Sequence, residues 1–202
     1  APFIPLLVAA PALGRHCVFG NLFARMGIGS DGDIHRLDRH PSMSRHPITP
    51  MQEADLRRHL AKQTRRQIGL FDILKLELPR AAALTSLKRL VAEGNRVVLF
   101  DALYAGQMKR IGELIDGWAS RQEPLFSVGS SGIEMALSMH WAKRRAAKPA
   151  RRSVRNLEPQ PKGPLLIASG SCSPVTAAQI AWARRQGFAA ESHRRADGRH
   201  VQ

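Results

Sequence analysis

The stretch Arg96-Val97-Val98-Leu99-Phe100-Asp101 decides the fold. Its four central residues are all apolar, with none of the polar alternation of a strand that has one wet face. Such a run reads as a strand buried on both sides, the pattern of a parallel sheet covered by helices. Upstream, Ala81 to Glu93 repeats Leu84, Leu87, Leu90 and Val91 at helical spacing and stops at Gly94. Downstream, Gln107 to Ser120 carries Met108, Ile111, Ile115 and Trp118 on one face. Further strands are expected at Phe3 to Ala9, His16 to Phe23, Ile68 to Leu74 and Leu125 to Val128. A helix is expected from Ile133 to Lys143, with Ile133, Leu137, His140 and Trp141 aligned. Thr49-Pro50-Met51-Gln52 has the makings of another helix start. Residues 25–47 read as a long polar loop.

Strands alternating with helices predict an α/β fold, a parallel-sheet domain with flanking helices. Lys143, Arg144, Arg145, Lys148, Arg151, Arg152 and Arg155 follow one another without an acid, and Pro149 lies among them. This run reads as a solvated basic linker. Beyond it, Pro164 to Ser169 reads as a strand and Ser173 to Gln186 as a helix stopped by Gly187, the first strand–helix unit of a second α/β domain. The expected organisation is therefore a domain over 1–143, a linker over 144–162 and the beginning of a second domain over 163–202, with a polar tail from Glu191.

The 202 residues are 44% hydrophobic but only 5% aromatic, so the core must rest on aliphatic side chains. Net charge is +15, and the sequence pI is near 11.3. That charge makes nucleic acid a partner to weigh. No aromatics are interleaved with the basic run to stack bases, which argues against it. No apolar run is long enough for a transmembrane helix, and the apolar opening lacks the basic start of a secretory signal. Cys17 and Cys172 are far apart and read as free thiols of a cytoplasmic protein.

Ligands of open parallel sheets bind beyond the carboxyl ends of the strands, where helix N-termini aim backbone amides into a crevice. Gly129-Ser130-Ser131-Gly132 follows one strand and opens a helix. It is either an anion cradle or a tight turn that needs glycine for its own geometry. Ser169-Gly170-Ser171-Cys172-Ser173-Pro174 has the same arrangement but lacks the lysine and spacing of a Walker A loop. Asp101 ends its strand and is a candidate to bind substrate hydroxyls or take a proton, or else to cap the following loop. His35, His40 and His46, with Asp31, Asp33 and Asp38, match no compact zinc spacing, and no metal ligand is assigned.

Taken together, GRHCVFGNLF (14–23), SRHPITPM (44–51), ADLRRHLAKQT (54–64), VVLFDA (97–102), VGSSGIEMAL (128–137) and ASGSCSPVTAAQI (168–180) resemble, in order, the four-carbon acid sugar kinases. The resemblance implies two α/β domains, the first binding a tetronate or oxo-tetronate and the second binding ATP with Mg2+. The γ-phosphoryl passes to the terminal hydroxyl of the acid. It places Arg15 and Asp101 as catalytic candidates. Arg15, Asp101, Ser130 and Ser131 would touch the sugar, and Gly170, Ser171 and Ser173 the ATP. Segments expected at both ends of the family pattern are absent, so the chain is expected to be the central portion of such an enzyme, inactive alone. Rival readings are a non-catalytic, effector-like binding protein and a basic nucleic-acid-binding protein. Association into an oligomer is compatible with all three.

Overall fold

The computed structural model describes residues 2–27, 32–145, 166–171 and 173–191, with side chains described only to Ala142 in the helix that ends at Arg145. The chain divides into two compact units: Ala1–Arg45 with Pro50–Pro149, and His46–Thr49 with Ala150–Gln202.

In the first unit, β1 (Ile4–Leu7), β5 (Ile68–Phe71), β6 (Val97–Phe100) and β7 (Val128–Gly129) form one sheet in the order β5-β6-β1-β7. Every pairing in it is parallel. All four residues of β6 are buried, as the unbroken apolar run required. Leu7, Phe71, Val98, Leu99 and Phe100 are sealed within the core. Among the helices flanking this sheet, α3 (Arg80–Ala92) buries Ala83 and Leu87, and α4 (Ala105–Asp116) buries Met108, Ile111, Leu114 and Ile115. The last helix of this unit, α5 (Gly132–Arg145), packs closely along α4. Close approach depends on Gly112, where an added Cβ would stand 2.1 Å from the Ala136 carbonyl oxygen. The α/β reading with a parallel sheet therefore holds.

The structure corrects several local expectations. His16 to Phe23 is not one strand but an antiparallel hairpin, β2 (Arg15–Val18) and β3 (Asn21–Arg25), joined at Phe19-Gly20. The expected polar loop contributes a third strand, β4 (Ile34–Arg36), paired with β3. The helix expected from Thr49 begins later, as α1 (Leu56–Ala61). Before it, the Leu22 amide donates to Ala54 O and the Leu56 amide to Gly20 O, holding the chain extended beside the hairpin. Asp55 then caps α1 through the Arg57 amide at 2.9 Å. Strand β5 stops at Asp72, which caps the short α2 (Ile73–Glu77).

In the second unit, α6 (Pro174–Arg185) starts as expected, with Ser173 as its cap and Pro174 in the first turn. The strand expected at Pro164 to Ser169 is corrected in its described part. Residues 166–169 have no β pairing among the described residues, and a strand exists only against a neighbour. Cys172 and most of the basic linker and polar tail lie outside the described residues. No helix among the described residues is long and apolar enough to cross a membrane.

Arg57 and Asp55 give a stability prediction. Burial alone would raise the Asp55 carboxyl. The Arg57 guanidinium, 2.7 Å away, and the Arg57 amide outweigh it and hold the group below the usual carboxylate range. A depressed folded-state value means the stabilisation is present above the unfolded value, about 3.9, and is lost as pH falls through the lower folded value. Urea midpoints measured from pH 5 down to pH 2 should therefore fall less steeply for Asp55→Asn, since asparagine caps as well as aspartate. Parallel pH profiles for the two proteins would show that the pair carries no such coupling.

Candidate functional site

In a parallel sheet all strand ends of one kind share an edge. Asp72, Asp101 and Ser130 follow β5, β6 and β7, so all three stand at the carboxyl edge. The three-stranded antiparallel sheet is attached at the same edge. The Cys17 amide donates to Ala102 O at 2.9 Å, and the Ala102 amide returns a bond to Cys17 O at 3.1 Å.

Asp101 is 0% exposed. Its carboxylate accepts from the Phe19 amide at 2.6 Å, the Gly20 amide at 2.9 Å and the Ile73 amide at 3.3 Å. Phe19 has φ 49° and Gly20 φ 82°, a turn that puts two successive amides on one acceptor. Burial pushes the Asp101 carboxyl above the ordinary range. The Gly20, Phe19 and Ile73 amides and the Cys17 thiol favour its charged form and oppose that shift. Cys17 is itself fully buried and free. Burial, and after it the Asp101 charge, pushes its thiol far above the ordinary value, so it is not a reactive thiolate. Asp101 therefore joins the hairpin turn and the start of α2 to the sheet edge, and it lines neither of the cavities described next.

Two cavities flank the connection from β6 to α4. The first, about 590 Å³, is lined by Pro11, Ala12, Ala105, Met108, Ser131 and Glu134, with further residues of α5. The second, about 670 Å³, lies over the outer face of the antiparallel sheet, with His16, Val18, Asn21, Phe23, Ile34 and Arg36 presented by the strands. Phe19, Leu103 and Tyr104 complete it.

Of the residues expected at the sugar site, Ser131 lines the first of these two cavities and Arg15, Asp101 and Ser130 line neither. Ser130 is turned to the backbone: its hydroxyl donates to Val8 O at 2.9 Å and its amide to Leu7 O at 3.1 Å. The flanking glycines have the same cause. A Cβ on Gly129 or Gly132 would stand 2.0 Å from Leu7 O or Ala9 O. Arg15 sits on the β2 register shared with Cys17, opposite His16 and Val18, and lines neither cavity.

In the second unit, an added Cβ on Gly170 would meet nothing within 4 Å. Ser171 Oγ accepts from the Ser173 amide at 3.2 Å and from Thr176 Oγ1 at 3.0 Å. Ser173 Oγ accepts from the Val175 amide at 3.2 Å. Both hydroxyls are thus engaged in starting α6.

His40 is buried and Nδ1 accepts from the Ser42 and Met43 amides, both at 3.3 Å, while Asp38 is paired with Arg36. These residues fasten turns. Among the described residues there is no group of three or more His, Cys, Asp or Glu that could hold a metal ion.

Sequence reasoning missed His16, Arg36 and Tyr104. No local signal marked them: Arg15–Val18 and Asn21–Arg25 do not alternate polar with apolar residues, and Arg36 and Tyr104 lie in separate segments.

A parallel sheet with a cavity-bearing carboxyl edge defines an α/β small-ligand-binding domain. The chain belongs to the family of the sugar-binding N-terminal domain, which residues 2–137 match. It is 47% identical over 187 residues to a 3-oxo-isoapionate kinase of Paraburkholderia graminis, covering 93% of this chain and 37% of that protein. It is 30% identical over 183 residues to a 3-oxo-tetronate kinase of Salmonella typhimurium, covering 91% of this chain and 39% of that one. The chain thus spans well under half the length of these relatives. A solved structure from Salmonella typhimurium, described as a putative tRNA synthase, superposes with a TM-score of 0.61 at 29% identity over 92% of this chain and 39% of its own. A Haemophilus influenzae protein superposes with a TM-score of 0.57 at 23% identity over 90% of this chain and 39% of its own, a likeness of fold.

Proposed function

We propose that this chain supplies the sugar-acid-binding part of an ATP-dependent kinase that phosphorylates a four-carbon acid sugar, a tetronate or oxo-tetronate, at its terminal hydroxyl. The observation that carries this reading is the family match across 2–137 together with 47% identity to a protein named as a sugar-acid kinase. The geometry supports it, because the cavities flank one connection at the carboxyl edge of a parallel sheet.

ATP would supply the phosphoryl group. Gly170, Ser171 and Ser173 are the proposed contacts for its phosphates, the first two being exposed and the third capping the helix that starts at Pro174. Asp101 is a positioning residue in this reading, since it holds the Phe19-Gly20 turn that borders the second cavity.

A ligand that binds only the folded chain must raise its stability, by about 2.7 kcal/mol at a hundred times Kd. Thermal-shift titration of the 202-residue chain with threonate, erythronate and 3-oxo-tetronate should raise Tm in a concentration-dependent way. The uncharged polyol erythritol should raise it far less at the same concentrations. A flat response to all the acids at millimolar concentration would end this reading.

A further inference from the structure

We infer that the sugar acid is held on the outer face of the antiparallel sheet, with its carboxylate on Arg36 and a hydroxyl on His16 Nε2. The inference rests on the sugar-acid reading above and assigns that substrate to one of the two cavities.

The strand registers set the arrangement. His16 of β2 is paired with Phe23 of β3, and Phe23 is paired with Arg36 of β4. The three side chains therefore form one cross-strand row. Neighbouring strands lie about 4.8 Å apart, so the outer two residues of the row are about 10 Å apart at the backbone. A chain of a few carbons fits between the two polar heads, over the Phe23 ring.

Each head group is fixed and has free capacity. Arg36 Nε donates to Asp38 Oδ1 at 2.8 Å, and Nη2 also donates to Asp38, which leaves Nη1 without a partner among the described residues. His16 Nδ1 lies 2.8 Å from Leu103 O. A carbonyl can only accept, so Nδ1 carries the proton and Nε2 of the neutral ring is an acceptor. That Nε2 is buried and has no partner among the described residues. A buried polar atom left unpaired is costly, and a ligand hydroxyl would satisfy it.

Charge separates the two cavities. No acidic residue lines the second, whereas Glu134 lines the first and no basic residue does. A carboxylate is repelled by the first, whereas in the second it can meet Arg36, whose charge is shared with Asp38. The outer face thus selects a small anion with a hydroxyl a few carbons from its charge.

Calorimetric titration of the 202-residue chain with threonate, erythritol and butyrate tests this. Arg36→Gln is expected to weaken threonate about tenfold to a hundredfold, the usual cost of one charge-assisted hydrogen bond, and to leave the weak binding of erythritol unchanged. His16→Phe, which keeps a ring of similar shape, is expected to weaken threonate about tenfold and butyrate hardly at all. This second variant stands even if loss of the Asp38 partner unsettles Arg36→Gln. Wild-type threonate affinity in both variants would overturn the assignment while leaving the sugar-acid reading intact, the more so if Ser131→Ala weakened binding. Failure of threonate to bind the unaltered chain would overturn both.

Discussion

Replacing Asp101 by alanine is expected to cost the first unit about 3–5 kcal/mol, enough to leave a marginal domain largely unfolded. Three backbone amides, from Phe19, Gly20 and Ile73, point at this one carboxylate inside the protein. Alanine would orphan all of them, and each buried donor left unpaired costs about 1–3 kcal/mol. The loss would also release the turn at Phe19, whose positive φ needs surrounding structure to hold it. Asp101→Asn keeps one acceptor oxygen but turns an NH2 group against an amide donor, so an intermediate loss of about 2 kcal/mol is expected. Urea denaturation followed by circular dichroism measures both. Stability of the alanine variant within about 1 kcal/mol of wild type would show that these amides find other partners, and that Asp101 does not hold the hairpin.

Gly132→Ala is expected to be nearly as damaging, at about 3 kcal/mol or more. Its Cβ would lie 2.0 Å from Ala9 O and 3.2 Å from the Ala9 carbonyl carbon. The obstacle is backbone, not the mobile end of a side chain, so the segment just after β1 and the start of α5 would have to move apart. Gly129→Ala meets Leu7 O at the same 2.0 Å, inside the β1–β7 pairing, and should behave alike. Gly170→Ala is the control, because nothing lies within 4 Å of its added Cβ. It should leave stability within about 0.5 kcal/mol. If Gly132→Ala and Gly170→Ala gave equal midpoints, the close packing of the GSSG turn on β1 would be refuted.

Both positions bear on how a sequence motif is interpreted. GSSG can be read as an anion cradle or as a tight turn. In the structure its glycines are needed for approach to β1, and Ser130 is spent on Val8 O, leaving Ser131 as the member that lines a cavity. Asp101 likewise can be read as a substrate ligand or as a cap. The structure encloses it and gives it three amides belonging to residues 82, 81 and 28 positions away in sequence. Partners that distant leave no mark on local spacing.

The sequence by itself determined the class of fold and the family. An apolar run such as Val97–Phe100 can only be buried on both faces, and the periodicity of Leu84, Leu87 and Leu90 can only serve a helix. Both signals are local, because the residue spacing and the element's geometry are the same fact. The motif order from Gly14 to Ile180 likewise needed no coordinates. Tertiary structure alone decided the strand order β5-β6-β1-β7, which brings the first strand between two later ones. It also decided the break of residues 15–25 into a hairpin, which depends on a carboxylate about eighty residues downstream. The row His16–Phe23–Arg36 follows from that hairpin. Those three residues are spread over twenty positions and share no motif, and they become neighbours only when hydrogen bonds between strands set the register.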